Sequence, residues 1–259
     1  MDTLNAQEIN NLLNQKLNIK VCDTVTSTNT LLKDNSYEFS NCDVLIANHQ
    51  TAGRGRYGKS FYSPEKSGVY FSIKIKSYFD YDTIKLITPL CAVSMCVAIE
   101  NTTNKNAQIK WVNDIYINNK KICGILCESI TNKGTNAIEG IIVGVGINVY
   151  KPKNGFGDDL KDIAGSLTDT ETDGLKNTLI ANFINVFFEY FDNINKVDFY
   201  EAYKKRCFIL NKEIDVLKQD GNTAAIATDI DKSFGLKVTY KNGTSEILNS
   251  GEISIKIKR

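Results

Sequence analysis

Two hydrophobic periods divide the chain. Leu4, Ile9, Leu12, Leu13 and Leu17 recur at near-helical spacing behind Asp2 or Thr3, which predicts a short lead helix over residues 3–17. Residues 19–22 read as a strand, and Ser27 or Thr26 is placed to cap a helix starting near Thr28. DVLIAN at 43–48 predicts a buried strand, and 69–76 a returning one. Thr88 and Pro89 predict the start of a helix that is apolar nearly all round through Ile99, followed by a polar loop over 102–107. Residues 108–128 read as strand, tight corner, strand, Asn-rich hairpin turn and strand. A further apolar strand follows at 138–149, then an irregular polar segment at 160–173. A long helix over 175–191 puts Leu179, Ile180, Phe183, Ile184, Phe187 and Phe188 on one face, and 199–206 continues helical. From Lys212 the pattern changes to short strands cut by turn signals at 219–222, 233–235 and 241–243, spaced as in a small barrel. Two domains are expected: 1–210, with a lead helix in 1–18, and 211–259.

Composition narrows the class. The chain has 259 residues, 42% hydrophobic and 24% charged, as in ordinary globular proteins. Lys+Arg 31 against Asp+Glu 30 leaves a formal charge of +1, so no global field attracts nucleic acid or an anionic membrane. The longest apolar runs are far too short to span a bilayer, and the polar opening MDTLNAQEINN carries no secretory pattern. Seven scattered cysteines form no Cys-x-x-Cys pair, and most sit in apolar stretches and read as small core residues in a reducing cytoplasm. A His-based zinc site or a Ser-His-Asp hydrolase would rest on His49 alone, and a strand-end histidine is more often structural.

The densest chemistry lies in HQTAGRGRYGKS, residues 49–60. Three glycines, two arginines and a lysine in twelve residues suit an anion. Gly53, Gly58, Lys59 and Ser60 also meet the P-loop spacing. A P-loop lysine and serine open a helix whose N–H groups face phosphate. Here Phe61-Tyr62-Ser63-Pro64 and an alternating strand follow instead, so the loop joins two strands and a nucleotidase reading is disfavoured.

Three other polar clusters interrupt apolar frames. Thr24, Thr26, Ser27, Thr28 and Thr30 put five hydroxyls around Asn29 at a strand-to-helix junction: a well-capped helix, and also a surface that can hydrogen-bond a small polar ligand. Asn113 and Asp114 sit at the corner beside the one tryptophan, Trp111, where turn chemistry alone is the plainer reading. Lys121 leads into an apolar strand, as a solvated hairpin residue or as the partner of an anion. Gly144 and Gly146 fall on one face of a strand, a mark of close approach.

In order, the motifs are Ser27-Thr28-Asn29; Gln50-Thr51-Ala52-Gly53-Arg54-Gly55-Arg56-Tyr57-Gly58; Lys110-Trp111-Val112-Asn113-Asp114; Lys121-Ile122-Cys123-Gly124-Ile125-Leu126; Gly144-Val145-Gly146-Ile147-Asn148; and Gly251-Glu252-Ile253-Ser254. This series, over roughly residues 20–259, resembles biotin–protein ligase, also called biotin–[carboxylase] ligase or holocarboxylase synthetase. The resemblance implies an α+β fold: a mixed β-sheet backed by helices, like class II aminoacyl-tRNA synthetases and biotin–lipoate ligases, with a C-terminal SH3-like barrel. It implies formation of biotinyl-5′-AMP from biotin and ATP, with Mg2+, then transfer of biotin to one lysine of a carboxyl carrier domain.

By the same resemblance Ser27, Thr28, Asn29 and Gln50 bind biotin's polar ring, with Gly124 also against biotin. Arg54, Gly55 and Arg56 cover its carboxylate and the phosphate. Lys121 sits against carboxylate and α-phosphate, and Lys110, Trp111, Asn113, Asp114 and Asn148 face the nucleotide. Lys121, Arg54, Arg56 and Asp114 are the catalytic set, Asp114 as a magnesium ligand or a base. Residues 50–58 are expected to order over the bound intermediate and exclude water. Val112 stands where the family commonly has proline, and Tyr57 where a further basic residue often stands. The N-terminal DNA-binding domain of bifunctional members has no counterpart, so a ligase that is not a repressor is expected, with pairing through an exposed sheet edge open as a route to a homodimer. A lipoate–protein ligase would carry consecutive glycines and a His-Asp pair, which do not occur at this loop. An RNA-contacting GRGR module has one adjacent tyrosine and no basic field to support it.

Overall fold

The computed structural model describes residues 2–34, 39, 41–132, 134–194, 198–218, 221–249 and 254–257. The chain opens with α1 (Ala6–Leu12), β1 (Ile19–Val25), α2 (Thr28–Asp34), β2 (Val44–Gln50) and β3 (Gly68–Phe79). Then come α3 (Tyr81–Thr103), β4 (Gln108–Lys110), β5 (Asp114–Ile117), β6 (Lys120–Thr131), β7 (Ile138–Asn148), α4 (Leu175–Phe191) and α5 (Tyr200–Arg206). Seven strands form one mixed sheet in the order β1-β2-β3-β7-β6-β5-β4. Only the β1–β2 pair is parallel, with Ile19 opposite Val44; the others are antiparallel.

The sheet's two faces follow from strand alternation. Val69, Phe71 and Ile73 of β3, Val143, Val145 and Ile147 of β7, and Cys123 and Ile125 of β6 point into the main core. There α3 and α4 cover them, with Phe71 edge-on to Phe183 at 5.4 Å. The alternate positions face α2, whose Leu32 packs with Leu45 and Ile142 in a smaller cluster. This face holds most of the polar residues singled out above.

Several boundaries differ from the sequence reading. Asn5, not Asp2 or Thr3, caps α1, its Oδ1 accepting from the N–H of Gln7 and Glu8. Asp2 is buried and accepts instead from the Tyr150 hydroxyl at 2.6 Å. The helix predicted to begin at Thr88 begins at Tyr81, capped by Asp80, whose Oδ1 accepts from Thr83 N at 2.7 Å. Pro89 is interior; one missing N–H is tolerated because the surrounding turns bury Ile87, Leu90, Cys91 and Val93. At its full length of 23 residues α3 is long and apolar enough to cross a membrane, which runs of consecutive apolar residues had understated. Here it is the core helix between the sheet and α4.

Five C-terminal strands form a second sheet, all antiparallel: β8 (Glu213–Lys218), β9 (Gly221–Ile230), β10 (Leu236–Tyr240), β11 (Ser245–Leu248) and β12 (Ser254–Ile257), in the order β11-β10-β9-β8-β12. Its inner residues Val216, Ala227, Leu236 and Val238 join the main core. The mixed sheet backed by helices, with a small C-terminal β unit, agrees with the expected fold class. In the closing motif, Gly251, Glu252 and Ile253 lie outside the described residues.

Candidate functional site

A cavity of about 210 Å³ opens on the α2 face of the sheet. Its floor is made by glycine. Gly124 of β6 lies opposite Gly146 of β7, and Leu126 opposite Gly144. A Cβ at Gly144 would run into the Asn29 side chain, and one at Gly146 into the Phe61 ring. The close approach expected at these strand glycines is therefore made by two side chains of the site itself.

One end of the cavity is polar and neutral. Ser27, Thr28 and Asn29 are buried where β1 turns into α2. Thr28 donates to Gln50 Oε1 from both its backbone N (2.9 Å) and its Oγ1 (3.2 Å). Gln50 Nε2 donates to Ser63 Oγ at 3.1 Å. Ser72 Oγ lies within hydrogen-bond distance of Thr28 Oγ1 and Asn29 Oδ1, at 2.7 and 2.6 Å. These contacts hold the hydroxyls and amides in set orientations, as recognition of a small polar ring requires.

The loop between β2 and β3 covers that end. No helix follows Ser60, so the P-loop spacing is incidental here. The loop is braced by its own backbone: Ala52 N donates to Thr26 O, Phe61 N to Gly53 O and Gly55 N to Lys59 O, at 2.9, 2.9 and 2.7 Å. Tyr57 and Gly58 both adopt positive φ, 57° and 73°, which reverses the chain. Arg54 forks onto Glu128, and Arg56 donates from Nη1 to Asn113 Oδ1 at 3.0 Å. Tyr57 lies under the Arg56 guanidinium, 5.0 Å from ring centroid to Cζ, and accepts from its Nη2.

Cations line the rest of the cavity: Arg54 over the polar end, and Arg56, Lys59, Lys110 and Lys121 beyond it, with Asp114 the only carboxylate lining it among the described residues. Lys121 Nζ stands 2.7 Å from Asp114 Oδ1, an ion pair without hydrogen-bond alignment. The irregular 160s segment pins Lys121 from both sides: Lys121 N donates to Ile163 O at 2.8 Å, and Gly165 N to Lys121 O at 2.9 Å. Burial above all lowers the pKa of Lys110; Asp114 opposes this, while Lys121 and Lys59 reinforce it. A site that crowds cations against one another is built for a ligand with several negative charges.

Trp111 lines the cavity, and its Nε1 donates to Phe234 O in the β9–β10 turn at 2.7 Å. The Trp111–Val112 peptide bond is cis. Asn113 is fixed in the sheet by exchange with Ile125, its Nδ2 donating to Ile125 O at 2.9 Å. Asn148 is the exception among the candidate residues. It does not line the cavity; its Nδ2 donates to Gly165 O at 3.0 Å. His49 sits on β2 opposite Thr24 and does not line the cavity either. Lys59, Phe61, Ser72 and Glu128 belong to or support the site and were missed. The sequence counts Lys59 among the loop cations and in the P-loop spacing but gives it no place in the site, and Ser72 and Glu128 become visible only once alternation along β3 and β6 is tied to a face.

Residues 21–148, the stretch that carries every candidate residue from Ser27 to Asn148, match the model of the biotin/lipoate A/B protein ligase family. This stretch of the chain belongs to that family. Among similar proteins is the bifunctional ligase/repressor BirA of Bacillus subtilis, 36% identical over 146 residues, which are 56% of this chain and 44% of that protein. The chain thus spans about half the length of this relative. BirA of Escherichia coli is 27% identical over 259 residues, 98% of this chain and 78% of that protein. Among solved structures, the biotin protein ligase of Aquifex aeolicus in complex with biotin and ATP superposes with a TM-score of 0.76 at 25% identity, covering 93% of this chain and 99% of that one. The family match thus lies on the cavity and on the strands that build it.

Mg2+ can be tested against the donors present. No group of three His, Cys, Asp or Glu side chains converges among the described residues. A lone carboxylate does not make a resident metal site, but it fits an ion that arrives on nucleotide phosphates, since Mg2+ is commonly held by one or two carboxylates plus substrate oxygens.

Proposed function

We propose that the chain is an ATP-dependent biotin–protein ligase. One observation carries the reading: a buried hydroxyl-and-amide pocket runs directly into a field of five cations facing one carboxylate. That order of chemistry matches a molecule with a neutral polar ring and a carboxylate, brought against a triphosphate. The names of the related proteins support the same choice.

In the first step a biotin carboxylate oxygen attacks the α-phosphorus of ATP, and pyrophosphate leaves. Two anions must approach, so their charge is the main obstacle. Ser27, Thr28, Asn29 and Gln50 hold the ring. Arg54 and Arg56, with the Gly55 backbone, meet the carboxylate and phosphate. Lys121, held by the 160s segment, stabilises the charge that develops between them. When bound with the nucleotide, Mg2+ supplies further charge neutralisation, with Asp114 as its protein carboxylate. In the second step a carrier lysine amine attacks the acyl carbon, loses its proton and displaces AMP. Its free pKa is about 10.4, so a base is needed, and Asp114 takes that part where it is not the magnesium ligand.

The acceptor in this reading is the carrier domain of a biotin-dependent carboxylase. The net charge of +1 favours a ligase without repressor activity, and seven free cysteines favour the cytoplasm. The deciding experiment is ATP–pyrophosphate exchange with biotin, with lipoate and with neither. Biotin-dependent exchange is the expected result. Exchange with lipoate alone keeps the family and replaces the substrate; exchange with neither overturns the reading.

A further inference from the structure

Glu128 stands where three parts of the polar end meet: β6, α2 and the loop. Its Oε2 accepts from Asn29 Nδ2 and Arg54 Nη1, both at 3.0 Å. Its Oε1 accepts from Arg54 Nη2 at 3.2 Å and from Lys33 Nζ at 3.3 Å. The glutamate side chain is 14% exposed and the arginine side chain 44%, so the acid is the fixed partner and the arginine the held one. A two-point fork sets the plane of a guanidinium as well as its position. A carboxylate also weakens the pull of that cation on a substrate anion, which attraction alone would not call for. Glu128 does not line the cavity, so contact with substrate does not account for it.

We propose that Glu128 is a positioning residue: it anchors Arg54, and through it the loop, over the polar end of the cavity in the pose that meets the substrate carboxylate. The substrate in this statement rests on the biotin reading; the anchor does not. Burial pushes the Glu128 carboxyl up, but the Asn29 hydrogen bond and the Lys33 and Arg54 charges outweigh it and hold the group below the ordinary range. It is therefore a carboxylate at neutral pH, as the fork requires.

Two readouts test this. The first uses trypsin with no ligand added. Glu128→Gln should be cut after Arg54 or Arg56 about tenfold faster than the unsubstituted chain, the loss of one charge-assisted pair. Its melting temperature at neutral pH should fall only slightly, so that the faster cutting reports the loop and not general unfolding. Arg54→Met leaves the buried acid with Lys33 and Asn29, and should release the loop equally, read as cutting after Arg56. Equal cutting in all three proteins overturns the anchor. The second uses biotin-dependent exchange. Glu128→Gln should raise KM for biotin about tenfold and affect kcat less. The double variant should be no worse than Arg54→Met alone. Multiplied losses would show that Glu128 acts independently of Arg54 and overturn the positioning role. If the unsubstituted protein does not exchange at all, the biotin reading fails, and trypsin still decides the anchor.

Discussion

Lys121 shows how much one side chain depends on its frame. Its Nζ is brought to Asp114 by a backbone held on both sides by Ile163 and Gly165. Lys121→Ala is expected to slow adenylate formation by about 10²–10³-fold, the scale of losing one preorganised group at developing charge. Near-normal exchange in that variant would remove Lys121 from the mechanism. Arg56→Gly should instead loosen retention of the adenylate, because its hold on Asn113 and its charge disappear together; an unchanged escape rate would count against that role. Gly144 makes a steric test. A methyl group there collides with Asn29, which also serves Ser72 and Glu128. Gly144→Ala should cost about 1–3 kcal/mol by overpacking and weaken biotin binding more than nucleotide binding, as calorimetry would show.

At the scale of elements, the C-terminal sheet reaches into the site. The β9–β10 turn presents Phe234, whose ring stacks on Phe199 at 5.1 Å and whose carbonyl holds the Trp111 indole. Tyr203 of α5 donates its hydroxyl to Val112 O at 3.2 Å. The Lys-Trp-x-Asn-Asp corner is thus held by α5 and by a turn of the second sheet. Trp111→Phe keeps an aromatic side chain, though a smaller one, and removes the donor, leaving the buried Phe234 carbonyl unpaired. A loss of about 1–3 kcal/mol is expected, read from urea unfolding; an unchanged midpoint would mean that this hold contributes nothing to stability. The loop between β2 and β3 is a different kind of element. Protection of Arg54 and Arg56 from protease should increase when biotin and ATP are added together, if closure over the intermediate excludes water.

For the whole molecule, acid sensitivity follows from carboxylates held below their ordinary values. Glu128 is one. Asp229 is another, lowered first by its hydrogen bond from Lys204. A depressed carboxyl contributes stability that is present above its unfolded pKa and lost as pH falls through its folded one. With ordinary values of 4.5 and 3.8, stability should hold at neutral pH and fall progressively below about pH 4.5. Glu128→Gln should flatten part of that decline in urea titrations.

The sequence by itself determined the elements and the inventory of the site. Periodicity placed the sheet strands and α4 closely, because alternation and helical spacing are local consequences of which face is buried. It placed the start of α3 and the cap of α1 wrongly, because Pro89 and Asp2 carry local signals that distant packing overrules. The motifs named nearly every residue of the cavity. What they did not contain was the arrangement. That Gly124 and Gly146 lie side by side as a floor depends on strand register across β6 and β7. That Glu128 holds Arg54, that the 160s segment steadies Lys121, and that Asn148 turns to Gly165 rather than to the cavity depend on contacts 17 to 74 residues apart. Only the tertiary structure decides such pairings, since they arise where separate elements meet and no local pattern encodes which partner will be there.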